Sequence, residues 1–259
     1  MESIYRVDDS LLTLVHKTYD DKLFGKKVFE LLESNNESGL NIKSSKELSK
    51  DLNKVSFCTF RGKYNLKVIH FLEDNNFRFI DDFLHLRLKR KDYVSNKFSF
   101  NKTTIIKINS EPSDEVKKEL IELEKSVYDF STFQADYRIE NNISSERNGI
   151  RVASHFNNPD HLIYLSLDQK SKKINGFTQF IKKTNYAVSV NTAVKTDNQS
   201  HALIGPKLFI VSHDDILEDK NIKYIDSGCG FNNGSSLRLH FGFNYSIHQR
   251  DIHLRKITK

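Results

Sequence analysis

Residues Ile222–Arg255 constrain the fold of this chain more than any other stretch. Lys223–Ile225 is strand-forming, Asp226–Gly234 is a polar run expected to turn, and Ser235–Phe241 reads as a short helix. A Gly242-Phe243 turn then leads into a final strand at His248–Leu254. Such a β-α-β unit is stable only inside a larger sheet that buries one helix face. Residues 53–88 follow the same order of strand, polar turn, helix, aromatic turn and strand. Cys58 and Cys229 sit near the ends of the first strands, Phe77 and Phe243 follow the helices, and His85-Leu86-Arg87 matches His253-Leu254-Arg255. Two readings stand side by side: two unrelated β-α-β units with aromatic turns, or an internal duplication that makes two related lobes.

The rest of the chain alternates between the two periodicities. Leu11–Val15 is a short apolar segment, and Val28, Leu31 and Leu32 open a strand or an apolar turn. Ser44 or Ser45 can cap a helix running to about Asn53, with Glu47 in its first turn. Val55–Phe60 is β-branched and aromatic, and Gly62 is expected to break that strand. Leu66–Glu73 is a helix, Phe77–Phe79 a turn and Phe83–Leu88 a strand. Thr103–Ile108 is a strand, Ser113 caps a helix with Val116, Leu120, Leu123 and Val127 on one face, and Ile143–Phe156 carries a weaker stripe. From His161 the period becomes two, giving strands at Leu162–Asp168, Ile174–Lys182 and Tyr186–Val194. A polar loop, Lys195–Gly205, then meets a helix with Pro206 at its first position. The expected class is α+β (mixed α/β), with central mixed sheets flanked by helices. Its expected parts are a reduced lobe over residues 1–95 and a full domain over 96–259.

Composition narrows the function classes. Hydrophobic residues make up 37% of the 259, and 19 Phe with 10 Tyr supply the bulk of a core. No apolar run is long enough to span a bilayer and no leader pattern opens the chain, so a cytoplasmic protein is expected. Cys58 and Cys229 suit reduced, buried thiols. The +6 formal charge is spread among 34 acidic residues, without the basic and aromatic stripe of a nucleic-acid binder. It suits polyphosphate ligands instead. The histidines never take metal-ligand spacing, so no metal is expected. Asp20-Asp21 and Asp214-Asp215 read as turn or cap residues, and Gly228 and Gly230 as places where the backbone turns tightly.

The core of the opening stretch, Asn233-x-x-Ser236-Leu237-Arg238-Leu239-His240 with Gly242-Phe243, is similar to a signature of the GNAT superfamily of acyl-CoA-dependent N-acyltransferases. His240 stands where that family has the Tyr or His that protonates the leaving thiolate, although Gly242 follows two residues early. Tyr245 is the nearby substitute acid, and Asn233 matches the Asn that binds the CoA arm. The loop before Pro206 resembles the family's phosphate loop at Val194, Gly205 and Leu208, but departs from it at Ser200 and Leu203. In that alignment Val194, Ser200, His201, Ala202, Leu203, Ile204 and Gly205 surround the CoA phosphates. Over the whole chain the layout resembles the dTDP-fucosamine acetyltransferase group. The matching segments are Asp20-Asp21-x-x-Phe24-Gly25-x-x-Val28, the Asn76-Phe77 turn, and Ser131-x-Phe133-x-x-Asp136-x-Arg138.

The resemblance implies a GNAT fold with a reduced GNAT-like N-terminal lobe, and acetyl-CoA or another acyl-CoA as co-substrate. It further implies N-acetylation of a nucleotide-linked deoxyamino sugar for surface polysaccharide biosynthesis. Phe133, Asp136 and Arg138 would then lie at the sugar nucleotide, in a protein that could form a homodimer and binds neither nucleic acid nor membrane. The alternatives are a GNAT enzyme for another amine or acyl group, and a non-catalytic GNAT-like binding module.

Overall fold

The computed structural model describes residues 3–34, 42–95, 103–108, 111–127, 131–195 and 203–258. The elements in chain order begin with β1 (Ser3–Val7), β2 (Ser10–His16), α1 (Thr18–Phe24), β3 (Val28–Ser34), β4 (Ile42–Ser44) and α2 (Ser45–Leu52). Then come β5 (Phe57–Lys63), α3 (Leu66–Asp74), β6 (Arg78–Lys89), β7 (Thr103–Ile108), α4 (Asp114–Val127) and α5 (Asn141–Ala153). The chain ends with β8 (His161–Asp168), β9 (Ile174–Lys182), β10 (Tyr186–Val194), α6 (Ile204–Glu218), β11 (Tyr224–Gly230), α7 (Gly234–Gly242) and β12 (Ser246–Ile257).

All the strands join one 12-stranded sheet in the order β4-β1-β2-β3-β5-β12-β6-β11-β10-β9-β8-β7. β12, near the end of the chain, lies between β5 and β6 and pairs antiparallel with both. β6 in turn lies between β12 and β11. The units β5-α3-β6 and β11-α7-β12 therefore have the same connectivity and exchange their last strands across the centre of the sheet.

Local chemistry sets these elements. Ser44 closes a capping box on α2: its hydroxyl accepts from Glu47 N at 3.4 Å, and Glu47 Oε2 accepts from Ser44 N at 2.8 Å. Asn65 caps α3 by accepting from Lys67 N at 3.0 Å. The two β-α-β units also end their helices alike. Asn76 (φ 67°) and Asn244 (φ 63°) take the left-handed conformation that asparagine tolerates better than other side chains do. The next residue bonds back into the helix, Phe77 N to Leu72 O at 3.0 Å and Tyr245 N to His240 O at 3.1 Å. Phe77 thus corresponds to Tyr245, rather than to Phe243 as the sequence comparison paired them.

One face of the sheet carries α2 and α3 over Tyr5, Leu12, Leu31, Phe60, Ile252 and Leu254, and α6 with α7 over Leu84, Leu86, Leu88, Ile225 and Cys229. On the other face α4 and α5 cover Ile163, Leu165, Phe177 and Ala193.

Several expectations are corrected. Gly62 lies inside β5, not at its end, because a Cβ there would stand 2.5 Å from the Phe60 ring. Asp226–Gly230 belongs to β11, so Gly228 and Gly230 do not turn the chain. A Cβ would fall 2.5 Å from Phe83 at the first and 2.2 Å from Asp81 Oδ2 at the second. β6 starts at Arg78, inside the expected turn. α6 starts at Ile204, making Pro206 its third residue, still within the first turn where a missing N–H leaves no bond unmade. Asp20 and Asp21 lie in α1, and Asp214 and Asp215 lie within α6, where they accept from Tyr93 and Tyr164.

Candidate active site

The sheet opens between β10 and β11. The two strands run parallel and pair only at Tyr186–Tyr224, Ala187–Ile225 and Val188–Asp226. Beyond that point each keeps its outer neighbour. β10 stays paired with β9 as far as Val194–Gly176, and β11 with β6 as far as Gly230–Phe83. A bulge between Ser189 and Asn191 bends β10 where the strands part. Ser189–Val194 and Ser227–Gly230 thus form the two walls of a wedge-shaped cleft.

The equivalent seam of the N-terminal half is closed. β3 and β5 pair over five positions, Val28–Phe57 to Leu32–Arg61, and Glu33 Oε1 then accepts from Lys63 N at 3.1 Å.

Two helices begin beside the cleft. α6 starts on β9, close enough that a Cβ on Gly176 would stand 2.8 Å from Ile204 Cγ2. Leu203, its N-cap residue, makes no side-chain cap and is 47% exposed. Gly205, its second residue, is open: an added Cβ would meet only Leu239 Cδ2, at 3.7 Å. α7 starts after β11 with Asn233 as cap, whose Oδ1 accepts from Ser236 N at 3.0 Å.

At the apex, Ser227 is the first residue of β11 past the last shared pair. His240 of α7 lies 2.8 Å from it, Nε2 to Oγ, while His240 Nδ1 is 2.7 Å from the Ser236 carbonyl. A carbonyl only accepts, so Nδ1 carries the proton and Nε2 accepts from the Ser227 hydroxyl. Burial pushes His240 down to about 4, so the ring is neutral near pH 7. Tyr245 is buried one ring away, with centroids 4.9 Å apart, and its hydroxyl lies 2.7 Å from Nε2 of the buried His213. Burial raises Tyr245 well above the usual phenol range and lowers His213 to about 3.

No protein-family model matches the sequence, and no curated protein matches it. Solved structures do match. The chain superposes on a tandem GNAT protein from the clavulanic acid biosynthesis pathway with a TM-score of 0.59 at 10% identity, covering 95% of this chain and 78% of that one. A GCN5-related N-acetyltransferase from Kribbella flavida gives 0.59 at 9% identity, covering 100% and 90%. One from Sphaerobacter thermophilus gives 0.59 at 10% identity, covering 95% and 76%. The chain has the GNAT fold.

Within the GNAT fold the residues singled out from sequence divide into two groups. Val194, Leu203, Ile204, Gly205, Asn233, His240 and Tyr245 lie around the β10–β11 cleft or directly behind it. Ser200, His201 and Ala202 fall outside the described residues. Phe133, Asp136 and Arg138 sit elsewhere, against the N-terminal half. Asp136 is buried and paired with Arg138 Nε at 2.8 Å and Arg255 Nη1 at 3.1 Å, and these arginines hold its carboxyl below the usual range. Phe133 packs with Phe24 and Phe57 under the Arg255 guanidinium.

Sequence reasoning missed Ser227, His213 and the bulge at Ser189–Asn191. Ser227 lies in a Ser-Gly-Cys-Gly run that reads as a turn, and nothing local ties it to a histidine thirteen positions on. The repeat offered a usable signal. Leu72 and Phe77 stand where His240 and Tyr245 do, so the fold itself is satisfied by apolar side chains at both places. Among the described residues no group of three or more His, Cys, Asp or Glu could hold a metal, and no helix is long and apolar enough to cross a membrane.

Proposed function

We propose that this protein is an acyl-CoA-dependent N-acyltransferase. The observation that carries the reading is the separation of β10 from β11 after three residue pairs, within a GNAT fold. Two facing strand edges offer peptide N–H and C=O groups to an extended ligand that contains amides, and the pantetheine arm of CoA is such a ligand. At the mouth of the cleft the first turn of α6 presents backbone N–H groups that have no partner within the helix, a place for phosphates that the helix dipole favours. Gly205 lets a phosphate approach that turn closely, and Asn233 stands on the opposite wall.

Bound there, acyl-CoA would supply a thioester whose carbonyl carbon is attacked by a neutral amine. The residues at the apex then have definite parts. His240 Nε2 holds no proton of its own and takes the single hydroxyl proton of Ser227, so the pair turns only the acceptor lone pairs of Ser227 Oγ to the cleft and supplies no proton to the leaving thiolate. Tyr245 packs behind the ring of His240 and is itself fixed by His213.

For the acceptor we propose the amine of a nucleotide-linked deoxyamino sugar used in surface polysaccharide synthesis in the cytoplasm. Its support is the resemblance at Asp20–Val28 and Ser131–Arg138. With Arg138 already bound to Asp136 and Phe133 buried under Arg255, the sugar nucleotide would meet this region at the outer edge of Arg138. A second reading, a non-catalytic acyl-CoA-binding module, is favoured by the burial of both His240 and Tyr245.

Thermal unfolding with acetyl-CoA tests the common part. At about 100 times its dissociation constant the ligand should stabilise the fold by about 2.7 kcal/mol. An unchanged midpoint at millimolar acetyl-CoA would sink both readings. Release of free thiol with an amine present would separate the enzyme from the module.

A further inference from the structure

The face of the central strands opposite α6 and α7 carries a second polar constellation. His85 of β6 stands across from Gly228 of β11, two residues past the last β10–β11 pair, and across from Gln249 of β12. It is therefore one strand spacing, about 4.8 Å, from the wall of the cleft. Its Nε2 lies 2.7 Å from Asp251 Oδ2. Asp251 is 5% exposed and is itself fixed, accepting from Gln249 Nε2 at 2.7 Å with Arg61 Nε at 3.6 Å.

A carboxylate only accepts, so Nε2 carries a proton, and in the neutral form of the ring the lone pair lies at Nδ1. Among the described residues Nδ1 has no hydrogen-bond partner, and the side chain is 30% exposed. Gly228 puts no side chain between His85 and the cleft. The Phe83 ring lies there instead, edge-on to the imidazole at 5.1 Å.

We infer that His85 is the general base for the acceptor amine and that Asp251 is its positioning residue; the inference rests on the acyltransferase reading. The amine approaches from this face, while the Ser227–His240 pair lies on the other. The amine lone pair forms the C–N bond, the C–S bond breaks with its electron pair on sulfur, and the amine proton passes to His85 Nδ1 through one water at the edge of the Phe83 ring. The imidazolium so formed is ion-paired with Asp251, and the thiolate takes a proton from water. Among the described residues the charged and titratable groups around this pair are Glu33 on β3, Arg61 and Lys63 on β5, Asp81 and Arg87 on β6, Asp226 on β11 and His253 on β12.

The test uses the full chain, acetyl-CoA, and three amine probes: D-glucosamine, tyramine and a lysine peptide. Acetyl-CoA affinity is measured by calorimetry and thiol release as a function of pH. For H85Q we expect kcat/KM to fall by about 10² or more, with the acidic limb of the profile flattened. Acetyl-CoA affinity and unfolding midpoint should stay at the wild-type values. Without any ligand, ¹⁵N spectra should show His85 as the Nε2–H tautomer, and D251N should lose that signature together with activity. An H85Q protein that keeps wild-type rates and pH profile overturns the assignment. So does a wild-type protein that binds acetyl-CoA yet acylates none of the amines. A wild-type protein that fails to bind acetyl-CoA overturns the acyltransferase reading itself, and this assignment with it.

Discussion

His240 illustrates how position in a sequence and state in a fold diverge. The signature marks it as a thiolate acid, but its surroundings remove the proton that role needs. Burial disfavours the imidazolium, and the Ser236 carbonyl takes the one N–H of the neutral ring. His213 is buried beside it and lowered further, to about 3. Both folded-state values lie below the unfolded value near 6.5. As pH falls below 6.5 the unfolded chain binds protons that the folded chain refuses, so stability is full above that pH and is lost towards pH 4. Each ring contributes about 1.4 kcal/mol per pH unit at the limit, and the pair should cost about 2 kcal/mol between pH 6 and pH 5. Urea midpoints at the two pH values check this, with His161 and His253, lowered to about 4 and about 3, adding to the same loss. Equal midpoints would mean that the rings are protonated in the folded state.

At the scale of elements, the cleft is made by one bulge and two helix starts. The strand composition of Tyr186–Val194 was readable from sequence, because it depends on near neighbours, whereas Asn233, read there as a ligand of the CoA arm, is also the cap of α7. The separation of β10 from β11 was not readable, since a strand carries no local mark of which partner it loses. The first turn of α6 gives a direct test. Gly205 has room for a side chain, so G205D should fold normally, and its carboxylate should even suit the helix dipole. Placed among the N–H groups of that turn, it should weaken acetyl-CoA binding about tenfold, worth about 1.4 kcal/mol. Calorimetry reads this directly. Unchanged affinity would show that the phosphates bind away from α6.

At the scale of the whole molecule, the exchange of last strands makes the two halves interdependent. β12 supplies partners to β5 and β6 at once, and its Arg255 and Lys256 are buried against Asp136 and the Leu52 carbonyl. A chain ending at Tyr245 would leave two strand edges and a buried carboxylate, Asp136, with only one of its two arginines. It should lose cooperative unfolding in both halves, and hydrogen exchange should show β5 and β6 unprotected together. A truncated chain that still protects β5 would mean that the N-terminal half folds alone.

The sequence by itself determined the elements, the repeat of β-α-β order and the fold family, because periodicity, caps and turn residues act over a few positions. Even there it erred at Gly62, Gly228 and Gly230, where glycine answers to a ring or carboxylate on another strand. Only the tertiary structure decided that the cleft lies at β10–β11 and not at β3–β5. It also decided that Ser227 faces His240, and that His85 meets Asp251 166 positions away. Those facts rest on which strand edges pair across the centre of the sheet, and strand pairing is long-range: it depends on the surface that each edge buries, not on the residues beside it in the chain.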